Sequence, residues 1–383
     1  MNDRQTSTDI YITREKRQQW ARQLTEIGQQ PLALCPNLPR IAQRFEAWWA
    51  HDCLDRPVFI ASTNRNPARP ITKRLELLDD PSQWLAEKVG DMQQIHRVGE
   101  AMPFVRVDIG PVFMTALAGA TPKFVSDTTW YNPVINNDWS NAPDWIFNDD
   151  NPWQAVLREL LTLTADDARG KYLVCSPNLG GTDEVLLNLR GSARLCMDVI
   201  DQPEKIKAAV EAIHPEWARM SALLYDTVLG QGAGLIHWQQ LWSNRPYTQP
   251  SSDFNALLSP RHFKELFIPD IEARARAVGM ASFHLDGPDA ARHIDVLLDC
   301  DALDVIQFTP GDGAAPARTY TEMFRKVQAR GKSLLIAAGK DDVMPLCEEL
   351  SPKGLAFLVG DAFTVEELDA LFSRFCGFYG TVD

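Results

Sequence analysis

The stretch Ala281–Gly313 reads ASFHLDGPDAARHIDVLLDCDALDVIQFTPGDG. It holds an apolar run at 281–287, a helical segment opened by Pro288 and reaching Leu298, and a second apolar run, LDVIQFT, at 303–309. Two short apolar runs joined by a helix are the repeating unit of a parallel sheet, because parallel neighbours need a crossover between them. Toward the C-terminus the unit recurs as SLLIAAG at 333–339 and LAFLVG at 355–360, with helices read over Thr319–Arg330 and Asp341–Leu350. Toward the N-terminus come GLIHWQQ at 234–240, KYLVCSP at 171–177, FVRVDIG at 104–110 and RPVFIAS at 56–62.

Eight such runs are the number that closes a (β/α)8 TIM barrel, so the expectation is an α/β protein with a single barrel over residues 56–383. Residues 1–55 read as a helical extension, with Phe45, Trp48 and Trp49 on one side of a helix. The Trp-, Asn- and Pro-rich segment 128–153 reads as long loops over the carboxyl-terminal face. The competing doubly wound sheet needs a Gly-rich turn from strand to helix. The one candidate, GQGAG at 230–234, runs from helix to strand, so no nucleotide cofactor is expected.

The chain has 383 residues, 45% hydrophobic and 23% charged, which suits an ordinary globular protein. With 38 Lys+Arg against 51 Asp+Glu the net charge is -13, which repels a phosphate backbone and argues against nucleic acid as a partner. Seven cysteines without a CxxC pair point to reduced thiols. The polar N-terminus and the lack of an apolar run of about 18 residues give no sign of membrane insertion. A cytoplasmic location is the expectation.

In a barrel the chemistry sits at the carboxyl ends of the strands. The polar residues there are Asn64 and Arg65, Asp108, Asn178, the group His237, Trp238 and Gln240, the pair His284 and Asp286, then Gln307, Asp312 and Asp361. His284 and Asp286 are two apart in one run, so they share a face of the strand. An imidazole beside a carboxylate suits either acid/base work or binding of a divalent metal; alternatively Asp286 caps the helix at Pro288 and His284 is a core residue. Asp253, in the crossover before a helix at Ser259, is a third catalytic candidate or a turn cap. Arg190 reads as a clamp for a substrate carboxylate or as a helix salt bridge. Trp130, Trp238 and Trp242 read as pocket walls or as core. Cys175 reads as a small buried hydrophobe and not as a nucleophile.

Beyond these residues, FHLDGPDAARHIDVLLDCDALDVIQFTPGDG, RFEAWWAHDCLDRPVFIAS, NLGGTDEVLLNLRGSARLCMDVIDQPEKI, SSDFNALLSPRHF and ARGKSLLIAAGKDDV resemble the uroporphyrinogen decarboxylase-like superfamily. The resemblance runs over nearly the whole chain after Arg44 and lies near the branch that holds methylcobamide:coenzyme M methyltransferases. It implies a barrel with its pocket at the strand ends. True uroporphyrinogen decarboxylases carry an Arg-rich segment after the first strand, where this chain reads ASTNRNPARP with Arg65 and Arg69 alone. The methyltransferase branch implies zinc or another divalent metal held by a His-x-Cys pair and a later Cys. Here these positions match His284, Asp286 and Asp361, so carboxylates stand where sulfur ligands would be.

The expected function is an enzyme on a small polar, carboxylated or methylated metabolite. It works through His284, Asp286 and Asp253, with Arg190, Gln307, Trp238, Trp130, Asn178, His237 and Asp312 contacting substrate. The reaction is metal-assisted methyl transfer or acid/base decarboxylation. The alternatives are a methyltransferase partnered by a corrinoid protein, a genuine tetrapyrrole decarboxylase, and a barrel that binds a ligand without turning it over. A homodimer is compatible with all of them.

Overall fold

The computed structural model describes residues 11–65, 80–107, 109–124, 128–136, 138–147, 150–361 and 363–381. Its strands in chain order are β1 Val58–Asn64, β2 Ile95–Gly99, β3 Phe104–Arg106, β4 Pro122–Phe124, β5 Thr129–Tyr131 and β6 Leu173–Cys175. There follow β7 Gly234–Ile236, β8 Tyr247–Thr248, β9 Met280–Asp286, β10 Val305–Thr309, β11 Ser333–Ala338 and β12 Leu355–Val359. Every one of the eight apolar runs holds a strand: β1, β3, β6, β7, β9, β10, β11 and β12. These strands are hydrophobic on both faces, and Phe283, Leu285, Val305, Ile306, Leu334, Leu335, Ala356 and Phe357 lie at 1% exposure or less. Burial on both sides is what a parallel sheet covered by helices requires, and each large side chain removed from water contributes about 1.5–3 kcal/mol.

Among the described residues the hydrogen-bonded ladder does not close. A seven-stranded sheet runs in the order β2-β1-β12-β11-β10-β9-β8, a three-stranded sheet in the order β3-β6-β7, and β4 with β5 forms a separate hairpin. The break has a local cause at each end. Beside β1, the antiparallel β2 takes the edge that a parallel β3 would need, pairing Ile60 with Gly99 through Asn64 with Ile95. Just beyond, the buried Glu100 accepts a bond from the Phe59 N–H at 2.8 Å and is held by Arg44 at 2.9 Å and Arg56 at 2.8 Å. Glycine is required at position 99, where φ is +64° and a Cβ would meet the Phe59 carbonyl at 2.1 Å. At the other seam β8 lies along β9 and makes no ladder with β7. Side chains bridge that gap: the Tyr247 hydroxyl lies 3.2 Å from the His237 N–H, and Gln249 Oε1 accepts from the Gln239 N–H at 3.2 Å.

The first two helices, Arg14–Gly28 and Leu38–Trp49, are pinned by indole donors. Trp20 donates to Asp226 at 2.8 Å, Trp48 to the Leu334 carbonyl at 3.0 Å and Trp49 to the Trp242 carbonyl at 2.8 Å. Helix starts follow capping chemistry, with Thr13, Asp80, Asn151, Ser259 and Thr364 each accepting a first-turn N–H. The seven cysteines are free thiols, as their spacing implied. Among the described residues no helix is long and apolar enough to cross a membrane.

Candidate functional site

β9 ends in His284 and Asp286, and β10 ends in Gln307 and Thr309. Parallel register sets Gln307 beside His284 and Thr309 beside Asp286. On the other side of β9 the chain after β8 comes alongside, with the His284 N–H donating to the Pro250 carbonyl at 2.8 Å and Ser251 bridged to His284. Three residues later Asp253 starts a short 3-10 helix, Asp253–Leu257. Asp253, His284 and Asp286 thereby each present a ligand atom, all within 4.8 Å of one another.

His284 is oriented from two sides. Its Nδ1 meets Gln307 Oε1 in a close hydrogen bond, and Gln307 Nε2 donates to Thr309 Oγ1 at 2.9 Å. With Nδ1–H spent on the amide oxygen, Nε2 keeps its lone pair for a proton or a metal. The Trp238 ring stands edge-on to the imidazole, with centroids 4.8 Å apart and planes at 89°. Asp286 occupies the N-cap position of the helix Gly287–Ala291 but makes no side-chain cap bond, so the capping explanation for this carboxylate is excluded.

Behind Asp253 lies a group of acids that the strand-end reading passed over. Glu184 Oε2 accepts from the Gly181 N–H at 2.6 Å and the Ser251 hydroxyl at 2.9 Å, while its Oε1 accepts from the Asp253 N–H at 3.2 Å. Ser252 donates to Asp183. Asp183 is buried, and burial, reinforced by the Glu184 charge, raises its carboxyl well above the usual range. Asp253 is open to solvent as a residue, yet the protein packed around its carboxyl, then Glu184 and Asp286, raise it to about 7. The available signals were the acidic pair in TDE at a helix start and the two serines preceding Asp253.

Other sequence candidates lie elsewhere. Arg190 is corrected from anion clamp to structural residue. Its guanidinium is buried against Asp198 at 2.7 and 3.2 Å, bonds the Ile135 and Asn136 carbonyls, and stacks on Trp139, which leaves no fork for a substrate. Asp361 is corrected as a metal ligand: its carboxylate takes the Lys340 N–H at 2.5 Å and stays outside the three-residue group. Trp242 is core, fully buried, with its indole donating to Asn244 at 2.9 Å. Trp130 is 64% exposed on the β4–β5 hairpin, and Asp312 is exposed in the turn after β10. Arg65 lies 3.2 Å from His96 Nδ1. Asp108 and Arg69 fall outside the described residues.

Asn178, His237 and Trp238 line a separate small cavity. There His237 meets Ser176 Oγ at 2.5 Å through Nδ1, and the Tyr225 hydroxyl and Tyr247 carbonyl, both at 3.1 Å, through Nε2. Burial lowers its pKa to about 4, so it is neutral near pH 7.

No family model and no curated protein sequence matches the chain. Among solved structures, a methyltransferase from Methanosarcina mazei is similar at a TM-score of 0.60 and 12% identity, covering 88% of this chain and 99% of its own. At that identity the likeness extends to the fold, and the chain therefore stands as a mixed α/β protein sharing its architecture with that methyltransferase.

Proposed function

We propose that the chain is an enzyme of the uroporphyrinogen decarboxylase-like kind, a (β/α)8 barrel over 56–383 carrying a helical extension over 1–55, and that it transfers a methyl group with the help of a divalent metal. The observation that carries this reading is the convergence of Asp253, His284 and Asp286 within 4.8 Å at the end of β9. One imidazole and two carboxylates form a hard, anionic donor set that suits zinc, manganese or iron better than copper(I). The donor set fits a cation on electrostatic grounds too, since Glu184 and Asp286 crowd Asp253 with like charge. When bound, a divalent ion would supply Lewis acidity to a methyl acceptor. The chain's own residues do the positioning: Gln307 and Thr309 hold the imidazole tautomer, Glu184 holds the Asp253 backbone, and Trp238 walls the imidazole.

A second reading, acid/base decarboxylation without metal, is favoured by one observation, the Asp253 carboxyl held up to about 7. A carboxylic acid still protonated near neutrality can deliver a proton to a carbanion. Elemental analysis separates the two. One equivalent of metal, lost in His284→Ala, supports methyl transfer; a metal-free protein that releases carbon dioxide from its substrate supports the second. A corrinoid carrier belongs to the first reading alone. Tetrapyrrole decarboxylation loses ground because Arg190 is committed to Asp198.

A further inference from the structure

Where β7 and β8 fail to pair, the sheet leaves a cavity of about 40 Å³ between the strand ends and the helices Pro203–Gly230 and Ile268–Val278. A single water needs roughly 10–15 Å³ by this measure, so the space takes about three waters or a molecule of about four heavy atoms. Its wall is aromatic on several sides, through Trp217, Tyr225, Trp238 and Tyr247, and none of its lining residues is Asp, Glu, Lys or Arg. Its histidine, His237, has both ring nitrogens engaged by Ser176 and by Tyr225 with Tyr247. Two of the lining residues nonetheless carry buried N–H groups with no partner, Trp238 Nε1 and Gln249 Nε2. Unsatisfied buried donors cost about 1–3 kcal/mol each, and such donors are commonly met by water or ligand.

We infer that this seam cavity is a binding site for a small uncharged molecule bearing a hydrogen-bond acceptor, of the primary-amide class. The N–H groups of Trp238 and Gln249 would meet its carbonyl oxygen, and the aromatic wall would cover its apolar end. An anion of the same shape is disfavoured because no lining cation offsets the loss of its hydration. The Trp238 ring that lines the cavity also stands against His284, so an occupant sits one indole away from the proposed metal group. The site itself does not require a metal.

The test is heteronuclear NMR of the tryptophan indole N–H signals in the full chain, titrated with acetamide and, separately, with its anionic isostere acetate. The signal lost in Trp238→Phe identifies the reporter. Acetamide is expected to shift it saturably, with a dissociation constant on the order of millimolar for a ligand of this size. Acetate should give no saturable shift at equal ionic strength. Gln249→Met removes both the N–H and the Oε1 that accepts from Gln239; with the fold checked by an otherwise unchanged set of indole signals, it should weaken acetamide at least about fivefold, the share of one neutral hydrogen bond. Acetamide binding should survive His284→Ala, so its failure and the failure of the metal reading are distinguishable. The inference is overturned if neither probe saturates, if acetate binds as tightly as acetamide, or if Gln249→Met leaves acetamide affinity unchanged.

Discussion

Two histidines stand at the ends of parallel strands and look alike in sequence: His237 beyond β7 and His284 near the end of β9. His284 is half-buried, faces two carboxylates and has one nitrogen committed to an amide. His237 is ringed by hydroxyls and a carbonyl, with both nitrogens engaged. The same side chain at an equivalent place in the fold thus faces carboxylates in one case and neutral hydroxyl and carbonyl groups in the other. A strand end makes a residue eligible for chemistry; the charge and hydrogen-bonding capacity of its neighbours decide the rest.

The comparison breaks most visibly if His284 is truncated. His284→Ala should drop bound metal from one equivalent to under about a tenth, as measured by elemental analysis of dialysed protein, because a bidentate carboxylate pair cannot replace the lost nitrogen donor. His237→Phe should leave metal content unchanged and destabilise the fold by about 2–4 kcal/mol in urea unfolding, because Ser176 and Tyr225 lose a buried partner. Equal metal loss in both variants would erase the distinction.

Acid titration sharpens it. His237 is depressed to about 4 in the folded chain, while the unfolded residue titrates near the ordinary histidine value of 6.5. Between those values the unfolded state binds the extra proton, so stability falls as pH is lowered from about 6.5 to 4, by at most about 3 kcal/mol. Asp253 has the opposite sign. Its carboxyl is raised from 3.8 to about 7, so the folded state binds more protons in that window and stability is lost as pH rises through it. In chelator-treated protein the two groups oppose each other between pH 7 and 4, so on acidification the unfolding midpoint should rise in His237→Phe, fall in Asp253→Asn, and change least in the unaltered chain.

A smaller effect is expected at Gln307, which bonds His284 from the neighbouring strand. Gln307→Leu should weaken metal binding about 10- to 100-fold by competition titration, since the tautomer of His284 is no longer held. The smallest concerns the discarded ligand: Asp361→Asn should leave metal affinity within about twofold and cost under about 1 kcal/mol, as expected for an exposed carboxylate that bonds a helix-start N–H.

Much of this architecture was legible. Parallel strands buried on both faces must be apolar over their whole length, which is why all eight runs could be picked out and why His284 and Asp286 could be placed on one face. Asp253 was legible as a carboxylate near the strand ends, though its closeness to them depended on β8 drawing residues 250–253 alongside β9. What was not legible was pairing. A free strand edge is contested by any extended segment, and neither β2 nor β8 announced itself, being short and only partly apolar. Arg190 shows the same limit at side-chain scale: a guanidinium reads identically whether Asp198 sits eight residues on and folds back against it or points away.

The chain's local patterns by themselves determined the order of the eight apolar strands, their buried faces, the free thiols and the shared face of the imidazole and its neighbouring carboxylate, because these depend on periodicity and on chemistry within a few residues. Tertiary structure alone decided where the ladder opens, which acids gather behind Asp253, and which strand-end histidine meets charge, because each of those is a contact between segments tens to hundreds of residues apart.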